Sequence, residues 1–206
     1  MRDRSYHHGD LRAALLARAE ETLREKGAEA LSLRELARDL GVSHAAPSRH
    51  FRDRRALLDA VALNGFDQLT GLLTAADPGP GQGTFPERLT AQARVCVDFA
   101  LRETELMGVM FSRKYDTPDS EPCDEIHAAW MRLGAPVFSV IADGQVSGDV
   151  RAGDVQRLAL SVFIAVHGVT SMTAIGLLRG DEVESALEDE ISILVQGLKP
   201  VPRDEV

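Results

Sequence analysis

Ser32-Leu33-Arg34-Glu35-Leu36-Ala37-Arg38-Asp39-Leu40-Gly41-Val42-Ser43-His44-Ala45-Ala46-Pro47-Ser48-Arg49-His50-Phe51 is the stretch that decides the fold of this 206-residue chain. Leu33, Leu36, Ala37 and Leu40 recur at helical spacing and predict a short amphipathic helix. Ser32 and Glu35 form the pattern of a capping box, in which the serine oxygen accepts a backbone N–H and the glutamate reaches back. Gly41 follows the last apolar position, where a tight turn needs positive φ. Ser43 is the expected cap of a second short helix over 44–51; Pro47 removes one N–H from it, which so short a helix tolerates. Ala37 is the small residue a close helix crossing needs, and Leu33, Leu36, Leu40, Val42 and Phe51 are apolar anchors around the turn. The second helix turns small and polar residues outward. That combination is a helix-turn-helix, built to place its second helix in the major groove of a duplex.

The pattern on either side is helical as well. Leu11, Leu15, Ala19 and Leu23 repeat every four positions up to about Lys26, and Gly27 is a natural stop. Asp53 can cap a longer helix with Leu57, Leu58, Val61, Phe66, Leu69 and Leu73 inward. Residues 77–86 hold six Gly or Pro in ten and read as a loop. Helical stretches are expected over 86–102, 105–115 and 121–142, the last two separated by a break at 117–122. No alternating run supports a strand and no internal repeat is present. The expected fold class is all-α: a helix-turn-helix domain over 6–55, a larger helical domain over 56–199, and tails at 1–5 and 200–206.

The hydrophobic fraction, 44%, and the charged fraction, 27%, are those of a globular protein, not a disordered or fibrous one. Two cysteines exclude a disulfide scaffold. No apolar run follows the N-terminal Met1-Arg2-Asp3-Arg4-Ser5, so no secretory signal is read there and the expected location is the cytoplasm. The net charge of −9 is unevenly spread. Residues 1–55 carry 12 basic and 9 acidic side chains, net +3, leaving 11 and 23, net −12, for the remainder. A mildly basic head on an acidic body suits a head that meets a polyanion.

Two other signals are set aside. The 21 uncharged residues of 158–178 are long enough to span a bilayer. Ser161, His167, Thr170, Ser171 and Thr173 interrupt them, Arg157 and Arg179 flank both ends, and a helix apolar all round also suits a large core or an oligomer. No membrane partner is expected. Residues 143–154 resemble a calcium loop in Asp143, Gly148 and Asp154, but Arg151 falls at a ligand position and the final glutamate is missing, so a turn is the expectation. Cys96, Cys123, His127 and His167 lack close zinc-ligand spacing. No metal and no cofactor is expected.

Residues 6–67 resemble the DNA-binding domain of the TetR family of bacterial regulators. The likeness lies in Tyr6-His7-His8-Gly9-Asp10-Leu11-Arg12, in Leu31-Ser32-Leu33-Arg34-Glu35-Leu36-Ala37, in Gly41-Val42-Ser43-His44-Ala45-Ala46-Pro47, and in Arg49-His50-Phe51-Arg52-Asp53-Arg54-Arg55-Ala56-Leu57-Leu58. Gly153-Asp154 with Val166-His167-Gly168 resembles the C-terminal domain of one subgroup, which carries Trp where this chain has Val166. Family members often carry a backbone-contacting Tyr where this chain has Ser48, whose shorter hydroxyl can still bond a phosphate. The resemblance implies a homodimer, an N-terminal reader of double-stranded operator DNA and a C-terminal pocket for a small-molecule effector.

On that reading Ser43 caps the recognition helix and offers its hydroxyl or N–H to phosphate, and His44, Ala45 and Ser48 face the groove, Ala45 towards a thymine methyl. Arg49 takes a guanine edge or a phosphate, both open, while His50, Arg54 and Arg55 grip phosphates; Tyr6, His7 and His8 form a possible arm. Phe99, Met107, Met110, Phe111, Trp130, Met131 and Phe138, with His127 and His167, are large or polarizable residues suited to an apolar pocket, although plain core explains any one of them. Ser161, Ala165 and Gly168 permit close helix packing, and with Met172 and the stripe Val183, Leu187, Ile191, Leu194 and Leu198 they are the expected dimer face. Asp181, Glu182 and Glu184 at the start of the last helix and Lys199 at its end suit the helix dipole. An enzyme is the poorer alternative, since no nucleophile elbow, P-loop, zinc motif or carboxylate pair is present at telling spacing. A DNA-binding protein without an effector, architectural or switched by oxidation of Cys96 and Cys123, stays open.

Overall fold

The computed structural model describes residues 8–111 and 124–200. Among them lie eight α-helices and no strand: α1 His8–Lys26, α2 Leu33–Asp39, α3 Arg54–Ala76, α4 Phe85–Arg102, α5 Thr104–Phe111, α6 Asp124–Ser147, α7 Val155–Ala174 and α8 Asp181–Leu198. The all-α expectation stands. Tyr6, His7, Cys123 and the expected break at 117–122 lie outside the described residues.

The chain divides into two compact units, Met1–Phe66 with Glu103–His127, and Asp67–Arg102 with Ala128–Val206. The division falls within α3, beyond the boundary expected at 55/56, and it assigns α5 to the first unit. In that unit Leu15, Ala19 and Leu23 of α1 are buried, as are Leu36 and Ala37 of α2, Leu57 and Val61 of α3, and Leu106 and Met110 of α5. Arg18 of α1 reaches Asp39 at the end of α2 (3.0 Å), and Arg24 pairs with Glu103 (2.8 Å). Met110 packs onto Gly65, where an added Cβ would meet its sulfur at 2.7 Å.

The second unit is built on α4, α7 and α8. Leu89, Ala93 and Val97 of α4, Val162, Val166 and Val169 of α7, and Leu187 and Ile191 of α8 form one buried cluster, joined by Val140 and Ile141 of α6. By length and composition α7 could cross a bilayer, but its Val162–Val166–Val169 face is part of this core.

The helix caps depart from expectation in two places. Ser32 has the extended backbone of an N-cap and its carbonyl accepts from Leu36 N–H (3.0 Å), yet its hydroxyl makes no cap bond. The capping box forms at Thr84 and Glu87 instead: a Glu87 carboxylate oxygen accepts from Thr84 N–H (2.8 Å) and from its hydroxyl (2.9 Å), starting α4. The glycine-rich stretch before Thr84 hid that box. As expected, Asp53 caps α3, its carboxylate accepting from Ala56 N–H at 2.8 Å. Residues 143–147 are helical rather than a turn, because α6 continues to Ser147. Asp154, read as the end of that loop, caps α7 by accepting from Arg157 N–H at 2.9 Å.

Candidate nucleic-acid interface and effector cavity

The turn after α2 closes as a Schellman motif. Gly41, at φ +67°, donates to the Arg38 carbonyl (3.1 Å), and Val42 donates to the Ala37 carbonyl (2.9 Å). A side chain at position 41 is strained by this φ whatever the space around it. The expected regular helix over 44–51 is reduced to a turn followed by a short 3-10 helix, Pro47–Arg49. Ala46 N–H bonds the Ser43 carbonyl (2.9 Å), Arg49 N–H the Ala46 carbonyl (3.3 Å), and His50 N–H the Pro47 carbonyl (2.9 Å), all three residues apart. Pro47 supplies no N–H to propagate an α-helical ladder. The cap assigned to Ser43 is therefore a backbone one: its carbonyl accepts, and its hydroxyl makes no hydrogen bond among the described residues.

Pro47 and Phe51 are buried and hold this segment down, leaving Ser43, His44, Ala45, Ser48 and Arg49 exposed and His50 half-buried. Arg49 and Arg55 are exposed and make no ion pair among the described residues. Arg54 is partly exposed and also makes bonds within the fold. Its Nε donates to the Leu31 carbonyl (3.1 Å) and its Nη2 to the Ala28 carbonyl (2.6 Å), so its guanidinium ties α3 to the segment between α1 and α2. Arg12 of α1 lies 5.4 Å from the Phe51 ring centroid, a cation–π contact. Arg34, in the first turn of α2, is also exposed and without an ion pair among the described residues. Nothing in the one-dimensional pattern distinguishes Arg34 from other surface arginines; its place in the first turn of α2 does.

In the second unit α6 and the start of α7 line an open-sided cavity of about 340 Å³ with walls from Trp130, Met131, Val137, Phe138, Leu160 and Phe163. Asp154, Gln156 and Arg157 also line it. Of the residues proposed from sequence, Trp130 and Met131 belong to it and the others do not. Phe99 is core of α4. Met107 and Met110 lie on α5, and Phe111 meets Phe66 edge to face at 5.5 Å. His127 is exposed. His167 stacks on Phe163 at 5.3 Å, and burial pulls its pKa below the ordinary histidine value, favouring the neutral ring. Trp130 meets the same Phe163 edge-on at 5.8 Å.

A second, smaller cavity of about 30 Å³ also has Val137 and Phe163 among its lining residues, together with Gln92 and Cys96, and its surface is apolar throughout. Gln92 is 2% exposed, and among the described residues neither its carboxamide nitrogen nor its oxygen has a hydrogen-bond partner. A buried polar group left so costs about 1–3 kcal/mol. Burial pushes the Cys96 thiol pKa up to about 12, which disfavours the thiolate that oxidation chemistry needs.

Leu187 and Ile191 point into their own protomer's core, and Leu194 packs half-buried against it. Ser161 is exposed, Ala165 and Gly168 are half-buried, and Met172 is half-exposed. On α7 and α8 the large apolar side chains left exposed are Leu160, Ile164, Met172 and Ile193, and Ile175 and Leu177 just beyond α7 are exposed as well.

The family of bacterial regulatory proteins, tetR family, matches residues 15–61, and the tetracyclin repressor-like C-terminal domain matches residues 89–194. A search of the curated proteins finds no match. Among solved structures, a protein with unknown function from Rhodococcus sp. RHA1 is 38% identical, with a TM-score of 0.79 over 95% of this chain and 99% of that one. A bacterial regulatory protein in the TetR family, from Rhodococcus RHA1, is 21% identical, with a TM-score of 0.66 over 93% and 98%. The transcriptional regulator FadR from Bacillus subtilis, solved in complex with stearoyl-CoA, shares the fold at 14% identity, with a TM-score of 0.71 over 90% and 98%. The helix-turn-helix geometry and these matches together establish that the chain belongs to the TetR family of bacterial regulatory proteins and is a DNA-binding transcriptional regulator, not an enzyme.

Proposed function

We propose that the protein is a cytoplasmic, homodimeric repressor that binds a near-palindromic operator and is released from it by a small, largely apolar effector. The observation that carries the effector reading is the 340 Å³ cavity of α6 and α7, aromatic-walled and at the low end of the volume range of small-molecule sites, about 300–1,000 Å³. The stearoyl-CoA seen in the Bacillus subtilis regulator supports an amphipathic effector. Cys96 is half-buried and desolvation raises its thiol pKa, which speaks against the redox alternative. The DNA-reading surface is Ser43, His44, Ala45, Ser48 and Arg49, with Arg54, Arg55 and Arg34 on phosphates and His50 at the margin; Arg54 keeps its Nη1 for that contact while Nε and Nη2 bond two carbonyls.

The test is an operator selected from random duplexes, titrated with protein in the presence and absence of a panel of apolar ligands. Half-sites should repeat about 34–36 Å apart or at a multiple of that distance. Effector coupling of about 5- to 150-fold is expected, with operator weakening effector binding by the same factor. A panel that never alters operator affinity would overturn the effector reading. Arg49→Ala should weaken operator binding by about 1–3 kcal/mol with relaxed preference at one base if it holds guanine, or weaken all sequences alike if it holds phosphate. Unchanged affinity in Arg49→Ala removes it from the interface.

A further inference from the structure

Gly134 lies in the interior of α6 and is one of the residues that line the 340 Å³ cavity. Glycine inside a helix is less stable than alanine, so its presence there asks for a reason. At position 134 the reason is Phe138, four residues on. Helix side chains lean toward the N-terminus, which directs the Phe138 ring back over position 134. Its Cζ, Cε1 and Cε2 atoms lie 2.7, 3.0 and 3.2 Å from the place that a Cβ on residue 134 would occupy. Non-bonded carbons rest about 3.5–4.0 Å apart, so the ring and a Cβ exclude each other. The helical glycines Gly71, Gly108, Gly168 and Gly197 show no such neighbour: nothing among the described residues stands within 4 Å of a Cβ built on them. Gly65 and Gly144 make room for Met110 and Val150, from other segments of the chain. Gly134 instead seats a ring of its own helix, and that ring is a wall of the cavity.

We propose that Gly134 is a specificity-determining residue of the effector site: it seats the Phe138 ring against α6, and this sets how large an apolar body the cavity admits. This rests on the effector-responsive reading above. Phe138 is half-buried and packs against the core cluster of the second unit. That core is closely packed, so a ring driven off Gly134 moves into the empty volume beside it, which is the cavity. A methyl group at 134 therefore shrinks the site without itself reaching a ligand. A smaller side chain at 138 does the opposite and adds its lost volume to the cavity. The remaining walls, Trp130, Met131, Leu160 and Phe163, are apolar, so an alkyl chain gains affinity with each methylene it buries until the space is filled.

The probes are the primary alcohols from butanol to decanol, titrated against the full-length protein. Binding is followed by the fluorescence of Trp130, the single tryptophan and itself a wall of the cavity. On wild type, affinity should rise about fourfold with each added methylene and level off at the chain length that fills the cavity. Gly134→Ala should keep its helical circular dichroism, level off at a shorter chain, and bind octanol about tenfold more weakly, the worth of one to two methylenes. Phe138→Leu should level off at a longer chain. Gly134→Ala combined with Phe138→Leu should bind octanol within about twofold of Phe138→Leu alone, because the ring that met the methyl is gone. A loss of helix in Gly134→Ala leaves the Phe138→Leu plateau to decide. The proposal is overturned by absence of saturable alcohol binding to wild type, by equal octanol affinity in wild type and folded Gly134→Ala, by an unchanged plateau in Phe138→Leu, or by a double variant as weak as Gly134→Ala. Operator titrations separate the two readings. Alcohols that follow this pattern without altering operator affinity sink effector release and leave the size-setting role of Gly134; operator release by ligands indifferent to Gly134→Ala and Phe138→Leu sinks that role and leaves effector release.

Discussion

Ile164→Asp is expected to turn the protein into a monomer at micromolar concentration and, with that, to remove measurable operator binding in the same range. Ile164 is 62% exposed on α7, midway along a stripe that also exposes Leu160 and Met172. Four residues separate Leu160 from Ile164 and eight separate Ile164 from Met172, so the three share one helix face. Ser161, Ala165 and Gly168 lie beside that face and let a second helix approach closely. The opposite face, Val162, Val166 and Val169, is already filled by the protomer's own core. In a two-fold interface one substitution places two carboxylates in apolar surroundings. Desolvating them without partners costs at least about 4 kcal/mol per dimer, roughly a thousandfold in dimer affinity. A monomer carries one head and loses the gain from simultaneous engagement of both half-sites. Light scattering and operator titration measure the two effects, and unchanged helical circular dichroism shows that the protomer still folds. A dimer that persists in Ile164→Asp places the interface elsewhere.

The contrast with Leu187 and Ile191 explains what could be read from the sequence and what could not. Period alone showed that α8 carries an apolar stripe, and the stripe is real. It could not say whether the stripe faces the protomer's core or a partner, because both are apolar environments. The fold resolved this by exhausting the inward face first. The same limit applied to the aromatic and methionine residues of the body. Trp130 and Met131 were placed on the cavity, but Phe99 and Met110 were equally plausible in composition and are core. Val137 and Phe163 carry no one-dimensional signal, since their significance is that α6 and α7 bring them together on the cavity. The helix-turn-helix was legible because its determinants are local: Gly41 at positive φ, Ala37 in the core, Asp53 as a cap. The regular helix expected over 44–51 is absent for a local reason too, the missing N–H of Pro47.

Arg88→Met should lower the thermal midpoint of the protein by about 6–12 °C, and the deficit should shrink in acid. Arg88 is only 4% exposed on α4. Its Nε and Nη2 donate to the two carboxylate oxygens of Asp77, each at 2.7 Å, and its Nη1 to Asp143 of α6 at 2.9 Å. One guanidinium thus holds the connection after α3, the first turns of α4 and the late part of α6. Asp77 is 12% exposed and Asp143 33%, by side chain. Removing the cation leaves Asp77 buried and unpaired, while water screens Asp143. The loss belongs near the low end of the cost of breaking a buried pair, about 3 kcal/mol, which in a chain of this size is about 2–4 °C for each kcal/mol. The Arg88 guanidinium holds the Asp77 carboxyl below its ordinary pKa against the opposing effect of burial, helped by Gly79 N–H. A carboxyl whose folded pKa is depressed contributes stability above its unfolded pKa, near 3.9, and loses that contribution as pH falls through the folded value. The gap between wild type and Arg88→Met is therefore full at pH 7 and narrows below about pH 4. Asp77→Asn added to Arg88→Met should recover part of the loss at pH 7, because a neutral amide is less costly to leave without its cation. An undiminished gap in acid, or no recovery in the double variant, would show that Arg88 stabilises through packing of its stem and not through its charge.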